Sequence, residues 1–177
     1  MSDFPPVRVW DFVVGGFIST PIALLGLGAP TLTGMAWPSA NLAIFIPIRL
    51  ALPVVVYKLV IGAGTTAAGN FDVGIYDASG NRLVSSGATA KGAATAHVLN
   101  ITDTLIGPGL YYLAMAADGT NNYMMLVPSG TSPVPVQKMR LSGIMGMATA
   151  YVLPAVATFA AANFPLIPLI TAYLRRP

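Results

Sequence analysis

Asn70-Phe71-Asp72-Val73-Gly74-Ile75-Tyr76 is the stretch whose reading decides the fold. Phe71, Val73 and Ile75 alternate with Asp72, Gly74 and Tyr76, which is the period-two pattern of a strand with one face in a core and the other toward solvent. Asp77-Ala78-Ser79-Gly80-Asn81 then supplies turn residues and Arg82-Leu83-Val84-Ser85-Ser86 returns as a short partner, so the segment is expected to form a β-hairpin. After a run of Gly, Ala, Ser and Thr come His97-Val98-Leu99-Asn100-Ile101, a Pro108-Gly109 turn and Leu110-Tyr111-Tyr112-Leu113-Ala114-Met115. Short strands separated by turn signals at this spacing predict an all-β fold, an antiparallel β-sandwich or jelly-roll-like domain.

Working outward, Val54-Val55-Val56-Tyr57-Lys58-Leu59-Val60-Ile61 is β-branched and apolar on both faces apart from Lys58, as a central strand would be. Leu42 to Leu50 reads as an apolar strand in which Pro47 cannot donate to a ladder and so indicates an edge or a bulge. Asp118-Gly119-Thr120-Asn121-Asn122 is expected to turn the chain from Leu110–Ala117 directly into Tyr123–Val127 as consecutive antiparallel strands. Pro128 to Pro135 reads as an irregular loop, and Met139 to Ile144 as a last strand. One parity of each strand gives an expected core of Phe71, Val73, Ile75, Leu83, Tyr111, Leu113, Met115, Val55, Tyr57 and Leu59. The organisation that follows is an extended N-terminal arm over 1–30 with a strand around Phe12-Val13-Val14, a sandwich over 31–147, and an apolar C-terminal arm over 148–177. Neither arm has a helical period, so each needs something to pack on.

Composition sharpens that need. Hydrophobic residues make up 55% of the 177 positions and charged ones 8%, against roughly 25% charged in ordinary soluble domains. Such a surface is covered either by membrane or by a permanent assembly. Two long runs carry no charge, but Pro21, Pro30, Pro38 and Pro47 interrupt the first and Pro154, Pro165 and Pro168 the second, so neither offers the roughly 20 helix-competent residues of a span. The N-terminal residues lack the charge pattern of a secretory leader. Cysteine is absent, and the net charge of +3 comes from cations with no cluster denser than Arg175-Arg176, so neither disulfides nor a nucleic-acid stripe is expected.

The chemistry-bearing residues are few. There is no Glu, one His and six Asp, which leaves almost no ligands for a metal, and no cofactor is expected. His97 sits in an alternating strand without a nucleophile-elbow sequence and reads as structural. Asp72 and Asp77 form the nearest thing to a glycosidase carboxylate pair, but they read as a solvent-facing strand residue and a turn former. The Asp77 and Asp118 loops are too short for calcium loops and lack the closing Glu. Trp37, Tyr76, Tyr112 and Tyr123 are the candidate ligand or interface aromatics, either a sugar-stacking platform or, as favoured, core and interface packing.

Several motifs also carry a resemblance. Trp37-Pro38-Ser39-Ala40-Asn41-Leu42-Ala43, Asp72-Val73-Gly74-Ile75-Tyr76-Asp77 with Gly80 and Arg82-Leu83, Pro108-Gly109-Leu110-Tyr111-Tyr112-Leu113-Ala114, and Ala148-Thr149-Ala150-Tyr151-Val152-Leu153-Pro154 with Pro165-Leu166-Ile167-Pro168-Leu169 are together similar to a group of tailed-bacteriophage virion proteins. The resemblance spans about Trp37 to Leu169. It implies a non-enzymatic structural subunit of a virus particle, as a capsid decoration, head-fibre or tail-fibre protein, located in the virion and assembled in the host cytoplasm. The implied partners are copies of the same chain, as a homotrimer, and other virion proteins such as the major capsid or tail proteins. A module that binds carbohydrate or a receptor on the host surface, within a fibre, is the alternative.

Overall fold

A computed structural model describes residues 16–19, 31–93, 96–127 and 133–177. The strands run, in chain order, β1 (Phe17–Ser19), β2 (Thr31–Ala36), β3 (Ala43–Leu50), β4 (Val54–Gly62), β5 (Asn70–Asp77), β6 (Arg82–Ser85) and β7 (Thr89–Ala90). They continue with β8 (Ala96–Ile106), β9 (Gly109–Ala117), β10 (Asn122–Val127), then a single helix, α1 (Val134–Leu141), and β11 (Met145–Met147), β12 (Ala160–Ala161), β13 (Ile167–Pro168) and β14 (Ile170–Arg175). A seven-stranded sheet has the order β12-β11-β3-β9-β5-β6, with β7 also on β5. Opposite it lie a four-stranded sheet, β1-β14-β4-β8, and a three-stranded one, β13-β10-β2. Every strand pair is antiparallel. The all-β sandwich expected from the alternation is the fold.

Strand parity explains how the layers pack. Ile44, Ile46 and Ile48 of β3, Phe71, Val73 and Ile75 of β5, and Leu113, Met115 and Ala117 of β9 are all buried and join one cluster with Leu59 and Ile61 of β4, Ile170, Ala172 and Leu174 of β14, and Tyr123 and Met125 of β10. Each large aliphatic side chain removed from water in this way contributes about 1.5–3 kcal/mol. The alternate residues are buried too. Ala43, Phe45, Tyr76, Tyr112, Ala114 and Ala116 form a second cluster with Ala150, Leu153 and Ala157, against which Tyr151 and Phe159 pack. The segment from Ala150 to Phe159 therefore roofs the outer face of the seven-stranded sheet, and β5 is buried on both sides.

Five expectations need correction. Asp72 was expected to face solvent and is fully buried, because the roof covers the face it points into. In β4 the buried residues are Val54, Val56, Leu59 and Ile61, while Val55 and Tyr57 are only half-buried. The cause is a bulge: the register against β8 and β14 jumps across Tyr57, and an extra residue flips the parity on one side of it. Leu83 fails for the same reason, since β6 pairs Val84 with Ile75 and Arg82 with Tyr76, which leaves Leu83 unpaired and exposed while Val84 is buried. The Asp118 turn does not make a hairpin, because β9 pairs with β3 and β5 whereas β10 pairs with β2 and β13; it carries the chain from one layer to the other. Finally, the region expected as loop and last strand holds α1. Prolines in a first helical turn lose no hydrogen bond, Lys138 and Arg140 sit in the last turn where the helix dipole favours cations, and Gly143 follows with a φ of 75°.

The C-terminal segment, expected to seek a neighbour, finds its partner within the chain. β14 lies between β1 and β4 and buries Ile170, Ala172 and Leu174. The expected strand at Phe12-Val13-Val14, and most of the N-terminal arm, fall outside the described residues. Pro47 lies on β3 beyond the reach of β11, which pairs only Ala43 to Phe45, so its missing N–H costs no ladder bond there.

Candidate assembly surface

The four aromatics singled out in the sequence are all interior. Trp37 donates from Nε1 to the Leu42 carbonyl at 3.0 Å and stacks edge-on against Tyr123 at 5.5 Å. Tyr76 packs edge-on against Phe45 at 5.2 Å and donates its hydroxyl to the Pro154 carbonyl at 2.6 Å. Tyr112 lies 4.6 Å from the Phe159 ring under the roof. Tyr123 is fully buried, with no hydrogen-bond partner for its hydroxyl among the described residues. None of the four presents a ring face to solvent, so the sugar-stacking platform cannot be built from them.

Asp72 is not paired for catalysis either. Its Oδ2 accepts from the Leu153 N–H at 3.1 Å and its Oδ1 from the Ser86 hydroxyl at 3.2 Å, and removal from water pushes its pKa up. Asp77 lies five residues along β5, roughly 16 Å away at the strand rise, too far for either glycosidase geometry. As expected, Asp77 forms a turn: it accepts from the Ser79 and Asn81 N–H groups and the Asn81 amide, which hold its pKa down. His97 lies on β8 with its ring 5.4 Å from Phe71, and no side-chain base or nucleophile among the described residues bonds its Nε2. No group of three or more His, Cys, Asp or Glu residues able to hold a metal occurs among the described residues, and no described helix is long and apolar enough to cross a membrane.

Around Asp72 the polar side chains instead clasp the roof. Arg82 reaches the Leu153 carbonyl through its guanidinium and donates its backbone N–H to Ala155 at 2.8 Å. Ala157 donates to Gly80 at 2.8 Å and Ala150 to Asn41 at 2.7 Å. Lys91 does a similar job elsewhere: buried, with its pKa lowered by desolvation, it ties the Gly64 and Thr66 carbonyls and lies 5.5 Å from the Tyr123 ring.

The contrast is the outer face of the four-stranded sheet, over which no described segment folds as the roof does on the opposite layer. Register places Asn100, Lys58, Tyr173 and Phe17 side by side across β8, β4, β14 and β1, and Leu105, Val55 and Arg175 in a neighbouring row. Phe17 is 42% exposed, Tyr173 40%, Val98 63% and Leu105 65%. The Phe17 and Tyr173 rings are 6.3 Å apart, the Tyr57 ring, carried outward by the bulge, lies 6.4 Å from Tyr173, and the Arg175 guanidinium stands 5.6 Å from Tyr57 while pairing with Asp103. Exposed cation–π and ion-pair contacts contribute only about 0.5–1 kcal/mol each, so these groups shape the surface more than they stabilise it. The sequence reading missed this surface because it placed Tyr173 and Arg175 in an arm. The signal available was the Tyr57-Lys58 and Tyr173-Leu174-Arg175 pattern of aromatic and cation on strands with an apolar opposite face.

Comparison with protein-family models, with curated proteins and with solved structures finds no match in any of the three.

Proposed function

We propose that this chain is a non-enzymatic structural subunit of a phage particle, a capsid decoration, head-fibre or tail-fibre protein that assembles through apolar surface. The observation that carries the reading is the asymmetry of the two layers. One is roofed by the chain itself, whereas the other displays Phe17, Tyr173, Val98 and Leu105 on a strand scaffold in a protein with very few charges. An uncovered face on a rigid sheet that sets exposed aromatic and aliphatic side chains among a few polar and charged ones is what an assembling subunit presents to its neighbours. The resemblance of the Trp37–Leu169 motifs to phage virion proteins supplies the setting.

The test is location. Gold labelling of this chain on purified particles, viewed by electron microscopy, is expected to decorate the capsid or the tail. Particles that contain none of the chain would refute the reading. The copy number of three implied by the resemblance is read directly from mass in solution. The carbohydrate-binding alternative loses the four aromatic faces on which it rested, and glycan-array binding by the purified chain would restore it.

A further inference from the structure

β8 is the longest sheet edge in the described structure. Its eleven residues, Ala96 to Ile106, pair with β4 on one side and end the four-stranded sheet on the other. An edge strand offers a row of unpaired N–H and C=O groups, and proteins that stay single guard such edges with Lys, Pro or very short strands. The other edges are guarded by shortness: β1 has three residues, β7, β12 and β13 two each, and β6 four with a bulge. β2 has six. β8 contains no Lys, Arg, Glu or Pro, and its one charge, Asp103, is neutralised within its own sheet by Arg175. It also carries Val98 and Leu105, the most exposed large apolar residues among the strand side chains described.

We propose that the free edge of β8 pairs antiparallel with β8 of a second copy of this chain, about a two-fold axis between Ile101 and Thr102. The inference rests on the assembling-subunit reading and names the partner and the register. What selects the register is the irregularity in the middle of β8. Asn100 pairs with Lys58 and Thr104 with Val56, so β8 spends three residues where β4 spends one, and its outward-facing set changes from even to odd numbers. Val98 and Asn100 point outward before the change and Asp103 and Leu105 after it, as their exposure and the Arg175–Asp103 pair require. Pairing centred on any single residue matches even with even and sets outward side chains against inward ones on the far half. Centred between Ile101 and Thr102, the strands change face together. Val98 then lies opposite Leu105 of the second copy, and Asn100 opposite Asp103 of the second copy, where the amide donates to the oxygen that Arg175 leaves open. The two most exposed apolar strand residues cover each other twice, and the two sheets become one of eight strands. An isologous contact of this kind closes on two copies, so it stands beside any three-fold contact and does not make one. A single strand pair is a small interface, of the class that binds weakly, so assays belong near 100 µM.

The absence of cysteine makes the register directly testable. Val98→Cys and Leu105→Cys are made separately, at exposed positions where the fold tolerates change, and oxidised alone and mixed. Directly opposed residues have Cβ atoms about 4.5–5.5 Å apart, close to disulfide reach, whereas like residues of the two copies would stand roughly 23 Å apart. The mixture is expected to give the one-of-each cross-linked dimer in at least about tenfold excess over either variant alone, since only that pair meets the geometric requirement. Val98→Lys in the Leu105→Cys partner is expected to suppress dimerisation, with the circular-dichroism spectrum unchanged. Equal cross-linking in single and mixed samples would overturn the register, and no cross-linked dimer in any sample would overturn the pairing. Labelling of particles separates this from the parent reading: a chain found in particles that never cross-links refutes the edge contact alone, and a chain that cross-links yet is absent from particles refutes the virion role alone.

Discussion

Asp72→Asn is the substitution whose outcome follows most directly from the structure. The carboxylate is fully buried, its contacts from Leu153 N–H at 3.1 Å and Ser86 at 3.2 Å are long, and the Gly87 backbone adds only a weaker one. The nearest cation, Arg82, spends its guanidinium on the Leu153 carbonyl. Desolvation therefore outweighs these contacts and raises the pKa above the ordinary carboxylate value of 3.8. A raised folded-state pKa means that the folded chain holds the proton more tightly than the unfolded one. Stability from this group is accordingly complete below the unfolded pKa, declines as pH rises to the folded pKa, and is flat beyond, the reverse of the common aspartate case. Within that window each pH unit removes up to about 1.4 kcal/mol. Asn keeps the shape and one acceptor oxygen but cannot ionise, so it abolishes the decline. Urea denaturation at a series of pH values from 3.5 to 8, in steps of about half a unit, is expected to show wild-type stability falling relative to Asp72→Asn as pH rises, with the variant at least as stable at pH 7. Asp72→Ala, which strands the Leu153 N–H and likewise cannot ionise, is expected to lie about 1–3 kcal/mol below Asp72→Asn at every pH. Parallel curves for wild type and Asp72→Asn would refute the claim that the buried carboxylate is unfavourably charged.

Tyr123→Phe removes a buried hydroxyl with no bond among the described residues and is expected to leave the melting temperature unchanged or raised, whereas Tyr76→Phe strands the Pro154 carbonyl and should cost about 1–2 kcal/mol in a denaturant titration. Gly80→Ala combines a φ of 87° with a Cβ that would lie 2.6 Å from the Ala157 carbonyl oxygen; the expected loss is about 1–3 kcal/mol by calorimetry, with faster proteolysis of the 150–157 roof. Leu113→Ala, at the fully buried centre of β9, is expected to cost about 2–5 kcal/mol of unfolding free energy.

The sequence disclosed the strands better than the way they are covered. Alternation in Phe71-Asp72-Val73-Gly74-Ile75 placed β5 and its inward face correctly, because period two is a local property. It gave Asp72 to solvent because the roof that buries it comes from 81 residues further along the chain, and no local pattern records that return. The bulges at Tyr57 and Leu83 shifted parity by one residue, which is a property of strand partners and not of the strand itself. The helix was legible in Pro133, Pro135 and Gly143, but prolines crowding a short apolar segment read equally well as a loop. Aromatic residues were the hardest to place: Tyr76 and Tyr112 went inside under the roof, while Tyr173, alternating with buried Ala172 and Leu174, points to the face of its sheet that no described segment covers.

That position of β14 has a consequence for how the chain is made. β1, near the beginning, has β14 as its neighbour, and β4 depends on β14 for one of its two, although β14 begins at Ile170. A nascent chain that has not yet delivered residues 170–175 holds β1 without its partner strand and the apolar β4 with an open flank. The four-stranded sheet therefore cannot be built from front to back during synthesis; it closes only when the last strand slots between two that have been waiting. Such long-range closure is slow, and the interval before it leaves Val54 to Ile61 unpaired on one side, where another unfinished copy can intrude. Chains shortened before Ile170 are on this basis expected to collect in inclusion bodies, and a chaperone that binds extended apolar strands should raise the yield of the chain that keeps β14.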